Sequence, residues 1–210
     1  MEGFYTAAAA AKGEYSEKRS DFIANIFPCT DENSAKALID EIRTLHRDAR
    51  HNVYAYSLRE GDIKRFSDDG EPHGTGGKPV LEVIEGNSLT NVLVVVTRYF
   101  GGILLGPGGL ARAYGAAAKS AVGNAQIVEM RLCTLLETEC PYPDYKRLTG
   151  LIHDFSGTVG ETIFEENIIV SYRIEKHLVK RFLEQLTELF AATLTAKETG
   201  EELAAVSASM

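Results

Sequence analysis

Between Asp68 and Tyr114 the chain passes from the turn Asp-Asp-Gly-Glu-Pro-His-Gly-Thr-Gly-Gly-Lys-Pro into the aliphatic run Val92 to Val96. It continues through Gly101-Gly102-Ile103-Leu104-Leu105-Gly106-Pro107-Gly108-Gly109 into an alanine-rich stretch. Five consecutive aliphatic residues describe a strand covered on both faces. Ala111, Ala113, Ala116, Ala117 and Ala118 describe a helix that packs closely against a sheet. Glycines between two such elements mean backbone that turns tightly and approaches something closely, either a ligand or the protein itself.

The same region has a charge asymmetry. No Asp or Glu occurs from Gly86 to Val128, although the chain carries 30 acids in 210 residues. Arg98, Arg112 and Lys119 therefore have no counter-charge nearby in sequence. Two readings fit. Unopposed cations beside a helix N-terminus attract phosphate or carboxylate; alternatively the strand and helix are buried and exclude charge. Arg112 and Lys119, seven residues apart, share one helix face.

A length of 210 residues accommodates one or two domains with sizeable cores. No apolar run is long enough to span a membrane, and Met1-Glu2-Gly3-Phe4-Tyr5 is not the start of a secretory leader. Cytoplasmic residence is the expectation. Cys29, Cys133 and Cys140 cannot all pair, and none has a metal-binding spacing, which fits a reducing compartment. The formal net charge is −8, with 14 bases against 17 acids up to residue 129 and 8 against 13 beyond it. Contact with nucleic acid therefore requires a local basic face.

The periodicities predict two or three strands from Phe4 to Cys29. A helix follows from an Asp31 N-cap to about Arg50, with Ala35, Leu38, Ile39, Ile42, Leu45 and Ala49 on one face. Strands are expected at 52–58 and 63–66, a helix start over 76–84, a strand at 92–96 and a helix from Gly106 to about Gly123. Near Glu129 and Met130 the order restarts: strand 132–139, helix from Pro143, hairpin strands 158–164 and 168–174, helix 177–190 and strand 193–197. That order is βαββαβ. The domains are thus expected at 1–129 and 131–201, with 202–210 as a frayed tail.

The glycine loop lacks the Lys-Ser or Lys-Thr of a Walker A loop. It also lacks the dinucleotide spacing and its ribose-binding acid, so no nucleotide cofactor is expected. Asp68, Asp69, Glu71 and His73 have two readings: a hard-cation or paired-carboxylate site, or solvated turn chemistry. No nucleophile elbow is present. Tyr54, Tyr56, Tyr99, Phe100 and Tyr114 lie near Arg98 and Arg112 in sequence, a combination suited to stacking bases as well as to core packing.

His51-Asn52-Val53-Tyr54-Ala55-Tyr56, Ser67-Asp68-Asp69-Gly70-Glu71-Pro72, Thr75-Gly76-Gly77-Lys78-Pro79, Val95-Val96-Thr97-Arg98-Tyr99-Phe100-Gly101-Gly102 and Leu105-Gly106-Pro107-Gly108-Gly109-Leu110-Ala111-Arg112-Ala113-Tyr114 together resemble the YigZ/IMPACT family over about residues 15 to 125. The resemblance implies an α+β protein. Its N-terminal α/β domain would be of the ribosomal-protein and elongation-factor-domain-IV type, and its C-terminal βαββαβ domain ferredoxin-like, similar to domain V of elongation factor G. The eukaryotic relatives restrain an initiation-factor kinase by competing for its activator. They do so with an N-terminal partner-binding domain that has no counterpart in these residues, so that mechanism does not transfer. Val53 stands where the family commonly has Cys, and Gly76 where it commonly has Ala.

The leading expectation is a non-enzymatic, translation-associated regulator that binds RNA, the ribosome or another anionic partner. Its candidate surface is Lys78, Arg98, Tyr99, Gly101, Gly102, Gly106, Gly108, Gly109, Arg112 and Lys119, with no cofactor. The alternatives are a metal-dependent hydrolase of small peptides using Asp68, Asp69, Glu71 and His73, and a protein-interaction module docking a partner on the glycine-rich surface.

Overall fold

Val92 to Val96 are fully buried because helices cover both faces of the sheet in which they form the central strand. The computed structural model describes residues 3–206. Its N-terminal unit, Phe4–Glu129, contains β1 (Phe4–Ala7), β2 (Ala11–Glu17), β3 (Ser20–Pro28), α1 (Glu32–Leu45), β4 (His51–Leu58), β5 (Ile63–Ser67), α2 (Gly77–Gly86), β6 (Val92–Tyr99) and α3 (Gly106–Asn124). The strand order is β2-β3-β6-β4-β5, and every neighbouring pair is antiparallel. Strands β3 and β4 therefore run parallel on either side of β6 and are joined through α1.

The pleat divides the aliphatic run between two cores. Val92, Val94 and Val96 join Phe22, Ala24, Ile26, Val53 and Ala55 against α2 and α3. Leu93 and Val95 join Tyr56 and Leu58 against Ala35, Ile39 and Ile42 of α1. Asp31 caps α1, accepting the N–H groups of Asn33 and Ser34 at 2.9 and 3.0 Å. The helix ends at Leu45 rather than near Arg50: the sheet contact is complete at Ile42, and Leu45, expected on the apolar face, is 71% exposed.

From Met130 the second unit contains most of β7 (Ile127–Cys140), then α4 (Tyr142–Asp154), β8 (Thr158–Phe164), β9 (Ile168–Glu175), α5 (Val179–Leu189) and β10 (Ala196–Val206). Its strands lie in the order β10-β7-β9-β8, with β7 and β8 antiparallel to β9. Leu136, Val170, Tyr172 and Ile174 pack against Leu148, Ile152, Phe182 and Leu186 of the two helices. The last strand corrects the expected boundaries. It continues to Val206, so residues 202–206 are strand rather than tail, while residues 207–210 lie outside the described part. The protein is thus mixed α+β with antiparallel sheets. Among the described residues no helix is long and apolar enough to cross a membrane.

Candidate anion-facing site and the loop that braces it

The register places several segments at one end of the N-terminal sheet. There β2 turns into β3 at Lys18 and Arg19, β4 begins at His51 opposite Arg98, β5 ends at Ser67, and β6 ends at Tyr99 opposite Asp21. Helix α1 ends at this rim, and α2 and α3 begin there.

The acidic loop that follows β5 sends its three carboxylates in three directions, all toward the protein. Asp68 accepts the N–H groups of Gly74, Gly76 and Gly77 at 2.8, 3.0 and 2.9 Å, closing the loop onto the start of α2. Burial raises the pKa of Asp68, but these donors outweigh it and hold the group below the ordinary carboxylate value. Asp69 takes the Asn52 N–H at 2.7 Å and Arg43 of α1 at 2.8 Å, while its carbonyl meets His51 Nδ1 at 2.9 Å. Glu71 Oε1 accepts from Arg98 Nη1 at 2.7 Å and from the Tyr114 hydroxyl at 2.8 Å.

The counter-charge of Arg98 is therefore Glu71, 27 residues earlier, and both side chains are buried, 7% and 4% exposed. Arg98 is not the open cation that its acid-free sequence neighbourhood suggests. Tyr114 is fully buried, and burial together with the Glu71 charge pushes its hydroxyl well above the ordinary phenol range. The metal reading fares no better. His73 points outward, 97% exposed and 3.8 Å from Asp68, and no group of three or more ligating side chains is assembled among the described residues. Buried Cys29, Cys133 and Cys140 have their thiols raised chiefly by burial, the opposite of what a nucleophile needs.

The other sequence candidates divide into braces and open groups. Tyr99 shares a 2.8 Å hydrogen bond with His46 Nδ1 at the end of α1. Gly101 is where the loop after β6 touches the β2–β3 turn: a Cβ there would fall on the Arg19 carbonyl, and its N–H donates to Ser20 Oγ at 3.2 Å. Gly109 packs on Leu105, while Gly102 and Gly106 adopt φ of +84° and +72° in open space. Gly108 lies beside Arg112, and the first turn of α3 has no side-chain cap. Lys78, Arg112 and Lys119 are exposed and make no ion pair among the described residues. Lys119 is about 10 Å further along α3 than Arg112.

Sequence reading missed the exposed cations that topology adds to this rim, Lys18, Arg19, Arg47 and Arg50. Lys18 and Arg19 form a turn with positive φ at both residues, 45° and 65°, without the glycine or asparagine that normally announces one. Acids at the rim outside the bracing loop are Glu17, Asp21 and Asp48, whereas Asp31, Glu32, Glu60, Asp62 and Glu85 gather at the opposite end of the sheet. Cations stand at that opposite end too, among them Arg59 and Lys64, the latter paired with Glu85 at 2.9 Å.

A family model described as the Impact N-terminal domain matches residues 18–122. The chain is 33% identical to the IMPACT family member YvyE of Bacillus subtilis, over 94% of its own length and 92% of that protein's. It is 31% identical to the IMPACT family member YigZ of Escherichia coli, over 92% and 97% respectively. With rabbit Protein IMPACT it shares 35% identity, over 44% of this chain and 30% of the relative. A solved structure described as a hypothetical protein superposes with a TM-score of 0.61 at 29% identity, covering 93% of this chain and 97% of that one.

Proposed function

The chain belongs to the IMPACT family, and from that premise we propose that it is a non-enzymatic, translation-associated regulator. It binds RNA, the ribosome or another anionic partner through the basic rim of its N-terminal unit, in the cytoplasm. The observation that carries this reading is the exposed set Lys18, Arg19, Arg112 and Lys78, unpaired among the described residues, at the end of the sheet where the acids of the loop after β5 are turned inward. Two features support the finer fold reading. The order β10-β7-β9-β8 with two helices on one face favours a ferredoxin-like C-terminal unit like elongation-factor domain V. The five-stranded antiparallel sheet with α2 and α3 on one face favours the ribosomal-protein type for the N-terminal unit. Both are fold-level analogies to translation proteins.

Binding to ribosomes, tRNA and single-stranded RNA is measured across a salt series with the full chain. Affinity falls as salt rises, and replacing Arg19 and Arg112 by Gln lowers the log–log slope by about one for each phosphate contact removed. Absence of binding to all three at low salt refutes the reading. Ile103 and Leu104, 42% and 82% exposed beside the rim, favour a second reading as a protein-interaction module. A defined partner that remains bound after nuclease digestion and in high salt, and is released by Leu104→Ser, decides for it.

A further inference from the structure

The aromatic and cationic side chains at the end of β6 form a column. Tyr114 meets Phe22 edge to face at 5.0 Å between ring centroids. The Arg98 guanidinium lies 5.6 Å from the Phe22 ring centroid and 5.3 Å from that of Phe100. Glu71 fixes the guanidinium from the side through the 2.7 Å ion pair. Phe22, Tyr114 and Arg98 are buried, but Phe100, the outermost member, is 51% exposed. Its inner side is backed by an immobilised cation, and the rest of the ring faces solvent.

The surroundings of Phe100 carry exposed cations and a rim of apolar surface, together with the acids Glu17 and Asp21 that flank the β2–β3 turn. Gly101 follows immediately and rests on the backbone of Arg19, which brings the exposed Lys18–Arg19 turn alongside. Arg112 stands exposed on the helix that this loop enters, and Ile103 and Leu104 of the same loop are exposed. No acid belongs to the segment from Gly86 to Val128. An aromatic ring held rigidly at the end of a column, with cations beside it, matches what a single strand requires: a platform for one unpaired base and partners for the phosphates on either side of it. A duplex keeps its bases stacked on one another and offers such a ring nothing to stack on.

Resting on the reading of this rim as an anion surface, we infer that its ligand is single-stranded nucleic acid, with Phe100 as the platform for one unpaired base. Ile103 and Leu104 lie against the neighbouring sugar or base, and Lys18, Arg19 and Arg112 meet the flanking phosphates.

The test uses the full chain and a 12-nucleotide single-stranded RNA with a central 2-aminopurine, beside the same RNA annealed to its complement. Anisotropy is expected to give affinity for the single strand about tenfold or more above that for the duplex, and 2-aminopurine fluorescence is quenched on binding. Phe100→Leu, an apolar replacement at an exposed site, loses about tenfold in single-strand affinity and abolishes the quench, while duplex binding is unchanged. Phe100→Trp retains both. Equal affinity for single strand and duplex, or unchanged quenching in Phe100→Leu, overturns the inference; if Arg19→Gln and Arg112→Gln still weaken binding, the anion-binding reading survives it. Binding of neither form removes both. If RNA binding is absent while Leu104→Ser releases a defined protein partner, the apolar rim belongs to a protein interface and the inference is refuted.

Discussion

Removing the charge of Glu71 should destabilise the N-terminal unit far more than any surface substitution. Glu71 is the counter-ion of Arg98 at 2.7 Å and also accepts from Tyr114 at 2.8 Å, with both charged side chains more than nine-tenths buried. Arg98 Nε already lacks a hydrogen-bond partner, so the guanidinium depends on this carboxylate for its compensation. Glu71→Gln keeps the shape and an accepting oxygen but strands a buried cation, a change that costs about 3–5 kcal/mol. Against a total of about 5–15 kcal/mol for a domain, that is a large fraction. With a urea m-value of about 2 kcal/mol/M, the midpoint falls by roughly 2 M. The assay is urea unfolding followed by far-UV circular dichroism, since the chain contains no tryptophan. The double variant Glu71→Met with Arg98→Met removes both charges at once and recovers part of the stability relative to either single change, because neither charge is stranded; the buried Tyr114 hydroxyl, left without its acceptor, keeps the recovery incomplete. It also leaves the salt slope of polyanion binding unchanged, as a buried guanidinium releases no counterions. A loss below about 1 kcal/mol in Glu71→Gln, or strictly additive single and double variants, refutes the argument that this pair locks the motif together.

Asp68 is held below the ordinary carboxylate value in the folded chain, so its stabilisation is present above the unfolded value near pH 4 and is lost as pH falls through the lower folded value. Asp68→Asn should cost about 1–2 kcal/mol at neutral pH, with the deficit relative to the parent shrinking in acid; a constant deficit from pH 6 to pH 2 contradicts the assignment. A Cβ on Gly76 would lie 2.8 and 3.1 Å from the two Val53 methyl carbons, and Val53 is fully buried. Gly76→Ala alone should therefore cost about 1–3 kcal/mol through overpacking, and Val53→Cys should recover part of it; additivity in thermal unfolding would sink that pairing. Gly101→Ala should displace the β2–β3 turn and cost a similar amount, visible as faster amide exchange in residues 17–21, and unchanged exchange there removes the close-packing role.

Much of the architecture was legible because the hydrophobic periods were unambiguous. The Val92–Val96 run, the Asp31 cap and the Val179, Phe182, Leu186, Phe190 stripe all behave as their spacing dictates. The site was only half legible. Absence of acids from Gly86 to Val128 fits unopposed charge and burial alike, and for Arg98 burial holds: charge neutralisation is a matter of space, and its acid arrives from a loop 27 residues away. Lys18, Arg19, Arg47 and Arg50 went unnoticed because each looks like an ordinary surface residue, and only the strand register gathers them at one rim. Val53 and Gly76 look independent in sequence, yet a Cβ on Gly76 would fall 2.8 Å from a Val53 methyl carbon, so the size of one limits the size of the other.

The bracing loop and the open rim are two consequences of one arrangement. Asp68, Asp69 and Glu71 are all at the end of the sheet that would bind an anion, and in solvent they would cancel Lys18, Arg19, Lys78 and Arg112. Each is instead directed inward and satisfied there, by three backbone N–H groups, by Arg43 with Asn52, and by Arg98 with Tyr114. Asp69 and Glu71, each paired at 2.8 and 2.7 Å with a partner of opposite charge, contribute little field beyond their pairs, because each forms a short dipole rather than a free charge; Asp68, held by backbone N–H groups, keeps its charge. Lys18, Arg19, Lys78 and Arg112 then share the rim with Glu17, Asp21 and Asp48 but not with the charges of Asp69 and Glu71. A motif that pairs two of its acids with arginines therefore braces the fold and withholds two negative charges from the rim at once, and loosening the brace should weaken anion binding at that rim.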